Sequence, residues 1–266
     1  MSGWYDVHGQ GPAVALVHAG VADSRMWEPQ LAAFSAEHTV LRVDLPGFGR
    51  SPFEVTEISN RGAVRDAIDG ADIDRAAIVG VSLGGATALE LALESPERVT
   101  ALVLVGTGLA GHEWSDEVEA FGAEEEEALG RGDVEAAITA NLQMWLAGPR
   151  RPLDVIDPSV RELVAEMQRD AFVLQKGHDD VRVVRLDPPP SQRLGEIRVP
   201  TLIVTGNEDV QDIHVIADKL GAEIPGAERA TIADTAHLPN LERPEEFNRI
   251  VLAFLAEHAA DDGRDS

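Results

Sequence analysis

The run Ala76-Ala77-Ile78-Val79-Gly80-Val81-Ser82-Leu83-Gly84-Gly85 passes from six residues with no polar side chain, through a serine, into small and apolar residues. A segment apolar on both faces suits a strand buried in a sheet that is covered on both sides. The glycines at 80 and 84 fall where a strand and the helix after it must come close, and only glycine lacks the Cβ that would hold them apart. A serine between them stands exposed on a sharp strand–turn–helix junction, in the G-x-S-x-G pattern of a nucleophile. Leu83 then offers its backbone N–H at a helix start, where unpaired donors and the helix dipole favour an anion. Three fixed positions arise by chance in roughly one chain of this length in ten, so the weight of the pattern lies in its place after a buried strand.

Outward from this junction, further apolar runs occupy residues 13–18, 39–45, 101–105 and 201–205, and a last strand is expected at 229–233. Helical periodicity falls between them, at 26–36, 61–69, 83–94 and 210–219. A final helix begins near Pro244-Glu245-Glu246, a proline and acids suited to a first turn, and places Phe247, Ile250, Val251, Phe254 and Leu255 on one face as core. Strand alternating with helix predicts an α/β fold, with a mainly parallel sheet, helices on both faces and right-handed crossovers. Residues 107–190 interrupt this with helical patterns at 116–131, 134–146 and 159–175 and no convincing strand. They are read as a helical cap inserted between sheet strands, leaving 1–106 and 191–266 as the core. The Glu124-Glu125-Glu126-Glu127 run reads as a solvated helix face, and the small polar tail 259–266 as frayed.

Two further residues complete a candidate triad. Asp209, in Gly206-Asn207-Glu208-Asp209, follows the strand at 201–205, where a carboxylate can accept an imidazole Nδ1–H and hold its tautomer. Glu208 is one residue off and points elsewhere, and Asp212 falls in the following helix. The loop after 101–105 offers no acid. His237 follows the last strand and is the general base expected to take the proton of Ser82. For the oxyanion, the backbone N–H of Gly20, in His18-Ala19-Gly20, is expected to pair with that of Leu83. His18 reads as a hydrogen-bonded brace for that loop rather than a second base.

The chain carries 22 Lys+Arg against 47 Asp+Glu, a formal net charge of −25 at pH 7. Such a field repels nucleic acid and anionic membranes, so the expected partner is a small-molecule substrate. The absence of cysteine removes disulfides, thiol nucleophiles and Cys-ligated zinc, and no metal is expected. No apolar run approaches the ~20 residues that span a bilayer. Met1-Ser2-Gly3-Trp4-Tyr5-Asp6 has neither a basic n-region nor an apolar h-region, and a cytoplasmic location is expected. Oligomeric state is left open.

Together these residues resemble the α/β-hydrolase fold family over nearly the whole chain. Asp44-Leu45-Pro46-Gly47-Phe48-Gly49-Arg50-Ser51 looks like the family's D-x-P-G-x-G-x-S stretch, and Ser82, Asp209 and His237 follow its chain order. The resemblance implies a Ser-His-Asp mechanism, no cofactor and a helical cap that shapes the pocket. Within the family, Ala236-His237-Leu238-Pro239-Asn240-Leu241-Glu242-Arg243-Pro244 is similar to the matching segment of 3-oxoadipate enol-lactonases, although related esterases share it. Two departures stand out. His18-Ala19 replaces the usual His-Gly, and the short N-terminus implies an edge strand that is reduced or missing. Ester or lactone hydrolysis is the expected reaction. Carbon–carbon hydrolysis of a vinylogous diketone and cofactor-free perhydrolase or haloperoxidase chemistry use the same triad in relatives, and some relatives keep the triad as ligand receptors or signalling proteins. Carbon–carbon hydrolases often carry a Trp soon after the base, where this chain has Leu238-Pro239. Dehalogenases and epoxide hydrolases place Asp where this chain has Ser82. Candidate pocket residues in the cap are Trp114, Met144, Trp145, Met167 and Phe172, each with helix packing as the plainer alternative.

Overall fold

The computed structural model describes residues 3–258, so the tail expected to fray lies outside the described residues. Along the chain come β1 (Tyr5–His8), β2 (Ala13–Val17), α1 (Glu28–Ser35), β3 (Thr39–Val43), β4 (Glu57–Ile58), α2 (Asn60–Gly70), β5 (Ala76–Val81), α3 (Leu83–Glu94) and β6 (Val99–Val105). The next stretch holds α4 (Asp116–Gly130), α5 (Val134–Asn141), a π-helical segment (Leu142–Ala147), α6 (Pro158–Gln175) and β7 (Arg182–Val183). It is followed by β8 (Thr201–Gly206), α7 (Gln211–Glu223), β9 (Glu228–Ile232), α8 (Pro239–Glu242) and α9 (Pro244–His258).

Seven strands form one sheet in the order β1-β3-β2-β5-β6-β8-β9. Every pairing is parallel except β1 with β3. The alternation of side chains explains why both faces are apolar. Val14, Leu16, Val79 and Val103 point to one face, where Trp27, Phe34 of α1 and Phe247, Val251 and Phe254 of α9 cover them. Ala15, Leu41, Ile78 and Leu104 point to the other, under Val64 and Ile68 of α2, Leu89 of α3 and Ile213, Ile216 and Leu220 of α7. A period of two in the strands therefore serves two helical layers at once. The helix starts are local: Ser59 Oγ accepts from Gly62 N at 3.1 Å, and Pro158 sits in the first turn of α6 beside the cap Asp157.

Three local departures have clear causes. The edge strand is short rather than missing: β1 pairs antiparallel from Tyr5↔Val43 to His8↔Val40, four residues too few and too polar to stand out in the sequence. Within 107–190, Arg182–Val183 pairs with Glu57–Ile58. The pattern at 134–146 is not one α-helix, because it passes into the π-helical segment at Leu142. Among the described residues no helix is long and apolar enough to cross a membrane.

Candidate active site

Ser82 joins β5 to α3 at φ 53° and ψ −109°, a region that costs a side-chain-bearing residue about 1–3 kcal/mol. Its N–H donates to the Val105 carbonyl at 2.8 Å and its carbonyl accepts from Ala86 N at 3.0 Å, so the strained turn is held from both sides. The hydroxyl does not cap α3 and is not spent on the helix. A Cβ on Gly80 would overlap the Gly84 carbonyl, and one on Gly84 would overlap the Val17 carbonyl. These two glycines let α3 settle onto β5 and β2.

Asp209 and His237 come from the loops after β8 and β9, adjacent parallel strands whose C-terminal ends lie together. His237 Nδ1 lies 2.8 Å from Asp209 Oδ2, and Asp209 Oδ1 accepts from Val210 N at 2.8 Å. Both residues are buried, Asp209 fully. With Nδ1 bound to the carboxylate, Nε2 is the free position of the ring. His237 and Ser82 line the same two cavities. The Trp145 ring packs on the imidazole at 4.7 Å between centroids, and the Trp145 carbonyl accepts from His237 N at 3.2 Å.

The loop after β2 places Gly20 against Leu83, whose side chain is the nearest neighbour a Cβ at 20 would meet, at 3.8 Å. His18 is fully buried; Leu45 N donates to its Nε2 at 2.9 Å, and its Nδ1 lies 2.8 Å from the Ala19 carbonyl. One nitrogen must accept and the other donate, which makes the ring neutral, and burial pushes its pKa below the usual imidazole value. Asp44 ties in the D-x-P-G turn: its carboxylate accepts from Ser24 N at 2.8 Å and Arg50 N at 2.9 Å, and Gly49, at φ 53°, leaves room for it. Asp212 faces away from His237 and binds Ser115 Oγ at 2.6 Å and His112 Nε2 at 3.1 Å.

The five pocket candidates separate. Trp145 and Phe172 border a cavity of about 420 Å³ with Ser82, Gly20 and His237. Trp114 and Trp145 border a second, of about 380 Å³, with Ser82, Leu83 and His237. Met144 instead lines a groove between α4 and α5, and Met167 is core, its sulfur accepting from Asp23 N at 3.4 Å. Four polar residues of the first cavity go unnoticed in the sequence: Glu125, Asn141, Gln168 and Gln175. Glu124, Glu126 and Glu127 are solvated as expected, but Glu125 turns inward. Its spacing from Phe121 and Leu129, four residues each way, carried that signal. Gly106, Arg151 and Glu242 were also missed, and each supports the histidine loop. Arg151 pairs with Glu242 at 2.8 Å and donates to the Asp234 carbonyl at 2.6 Å, while Glu242 accepts from Ala236 N at 2.7 Å. Among the described residues no three His, Asp or Glu side chains gather as a metal-ligand set.

The Alpha/beta hydrolase family model matches residues 14–250. The chain is 31% identical to 2-hydroxy-6-oxo-6-phenylhexa-2,4-dienoate hydrolase of Burkholderia cepacia, over 93% of this chain and 89% of that one. It is 28% identical to carboxylesterase YbfK of Bacillus subtilis, over 92% of this chain and 80% of that one. The solved enol-lactonase of Burkholderia xenovorans superposes with a TM-score of 0.77 at 25% identity, covering 95% of this chain and 96% of that one.

Proposed function

This chain belongs to the alpha/beta hydrolase family, and from that premise we propose that it is a serine hydrolase that cleaves a carboxylic ester or lactone through an acyl-serine intermediate. The observation that carries the reading is the buried Asp209–His237 pair opening onto the cavities that Ser82 borders. In this reading His237 Nε2 takes the Ser82 proton as Oγ attacks the carbonyl carbon. The oxyanion sits on the N–H groups of Gly20 and Leu83. Collapse breaks the ester bond, and His237 returns the proton to the departing alkoxide. A water activated by His237 then adds to the acyl-serine and releases the acid and the free hydroxyl. Residues 107–190 act as the cap, with 1–106 and 191–266 as the core.

Carbon–carbon hydrolysis is the second reading, favoured by the 31% identity to the dienoate hydrolase. Turnover assayed on short activated esters, lactones and ring-cleavage diketones separates the two. Ser82→Ala is expected to abolish turnover with the unfolding transition retained, and wild-type activity in that variant would refute the assignment. A serine-directed phosphonate is expected to label the wild type. Labelling with one stoichiometric burst and no steady turnover would point to a ligand receptor instead.

A further inference from the structure

The cavity of about 420 Å³ beside Ser82 is unevenly equipped. Among the described residues its lining includes no Lys or Arg, and its polar wall beside the triad is Glu125, Asn141, Gln168 and Gln175. Gln168 is 2% exposed, its Nε2 reaches the Gly20 carbonyl at 3.4 Å, and its Oε1 is sealed from the cavity. Asn141 spends its amide N–H groups on Glu125 Oε1 and the Ala137 carbonyl, leaving an acceptor. Gln168 and Gln175 each commit an amide N–H to a backbone carbonyl, so Glu125 is the acid of the wall and no Lys or Arg of the lining opposes it. Burial raises the pKa of Glu125, as expected of a carboxyl with no cation beside it. Phe121 borders both this cavity and the outer groove between α4 and α5, where Glu117 and Glu124 extend the acidic lining outward.

We infer that this cavity selects substrates bearing a hydrogen-bond donor, a hydroxyl or an ammonium group, over substrates bearing a carboxylate. The inference rests on the ester-hydrolase reading and names the substrate class of the same site. A hydroxyl or ammonium can donate to Glu125, whereas a carboxylate meets the Glu125 charge with no Lys or Arg in the lining to offset it. The other cavity differs, since its lining includes Arg185, so a carboxylate turned away from Glu125 has a cation to meet.

Two ester sets test this. The first is the nitrophenyl esters of hexanoate, its terminal amino and hydroxy analogues, and the adipate half-ester. The second is hexyl acetate, its terminal hydroxy analogue and the matching carboxylate. Each is run on the wild type and on Arg185→Gln, which removes the cation of the other cavity. In at least one set the donor-bearing esters are expected to exceed the carboxylate about tenfold in kcat/KM. Glu125→Gln is expected to shrink the amino-to-carboxylate ratio about tenfold. A carboxylate that equals or exceeds the donor-bearing esters in both sets overturns the inference, as does an amino-to-carboxylate ratio unmoved by Glu125→Gln. If no ester turns over, the hydrolase reading fails, and calorimetric titration of the same esters into Ser82→Ala still decides the inference. Tighter binding of the amino and hydroxy esters supports it, and equal or tighter binding of the carboxylates overturns it.

Discussion

Gly106 follows β6 at φ 48°, and a Cβ there would stand 3.0 Å from His237 Nδ1. Alanine at this position is disfavoured twice, by its backbone conformation and by crowding the nitrogen that faces Asp209. Gly106→Ala is therefore expected to lower kcat at least about tenfold by tilting the imidazole, since small misplacements of a reacting group are costly in rate. Steady-state kinetics beside an unfolding curve checks it: a variant with wild-type kcat would show that the ring has slack. Ser82 is the opposite case. It keeps a side chain in a strained conformation, and strain of that kind persists only where surrounding hydrogen bonds over-determine the turn, here from Val105 and Ala86.

The segments around these residues are tied to each other more than to solvent. The π-helical turn is held to the base loop through Arg151, which donates to the carbonyls of Ala147 and Asp234 and pairs with Glu242. It is also held to the acid loop, where Arg150 donates to the Asp209 carbonyl at 3.2 Å and Gly148 fits against the Glu208 carbonyl. A π-helical turn is wider than an α-helical one and re-aims its side chains, and here it lays Trp145 on His237. The loop after β2 depends on His18 in a way that pH can read. Burial lowers its pKa in the folded chain, so below the ordinary value of 6.5 the unfolded chain takes up a proton that the native state refuses. Its contribution is complete above that pH and is lost as pH falls, by up to about 1.4 kcal/mol per pH unit. The stability gap between wild type and His18→Gln is therefore expected to narrow from about pH 7 to about pH 5 in urea unfolding. A constant gap would mean that the ring takes up a proton as readily in the native state as in the unfolded chain.

With a net charge of −25, the molecule repels anions at a distance before any pocket is reached. For an anionic ester, kcat/KM is expected to rise roughly two- to fivefold as salt screens that field, while a neutral ester of equal size stays nearly level. Equal salt responses would show that local charges near the cavity mouth outweigh the global field. The layered sheet, the junction at Ser82 and the order of the loops that carry Asp209 and His237 were all legible in the chain. Each is written in short-range terms: apolar runs that set strands, glycines that permit close approach, and loops that follow strand ends. The short strand β1 escaped notice because its partner β3 lies thirty-odd residues away and supplies the pairing that its own residues do not announce. Glu125, Asn141, Gln168 and Gln175 reach one cavity from α4, α5 and α6, and only the packing of those helices decides that an inward-turned acid in a run of glutamates shares it with three amides. Local propensity and periodicity act over a few residues and can be read along the chain, whereas the lining of a cavity depends on how distant helices dock, which no single segment encodes.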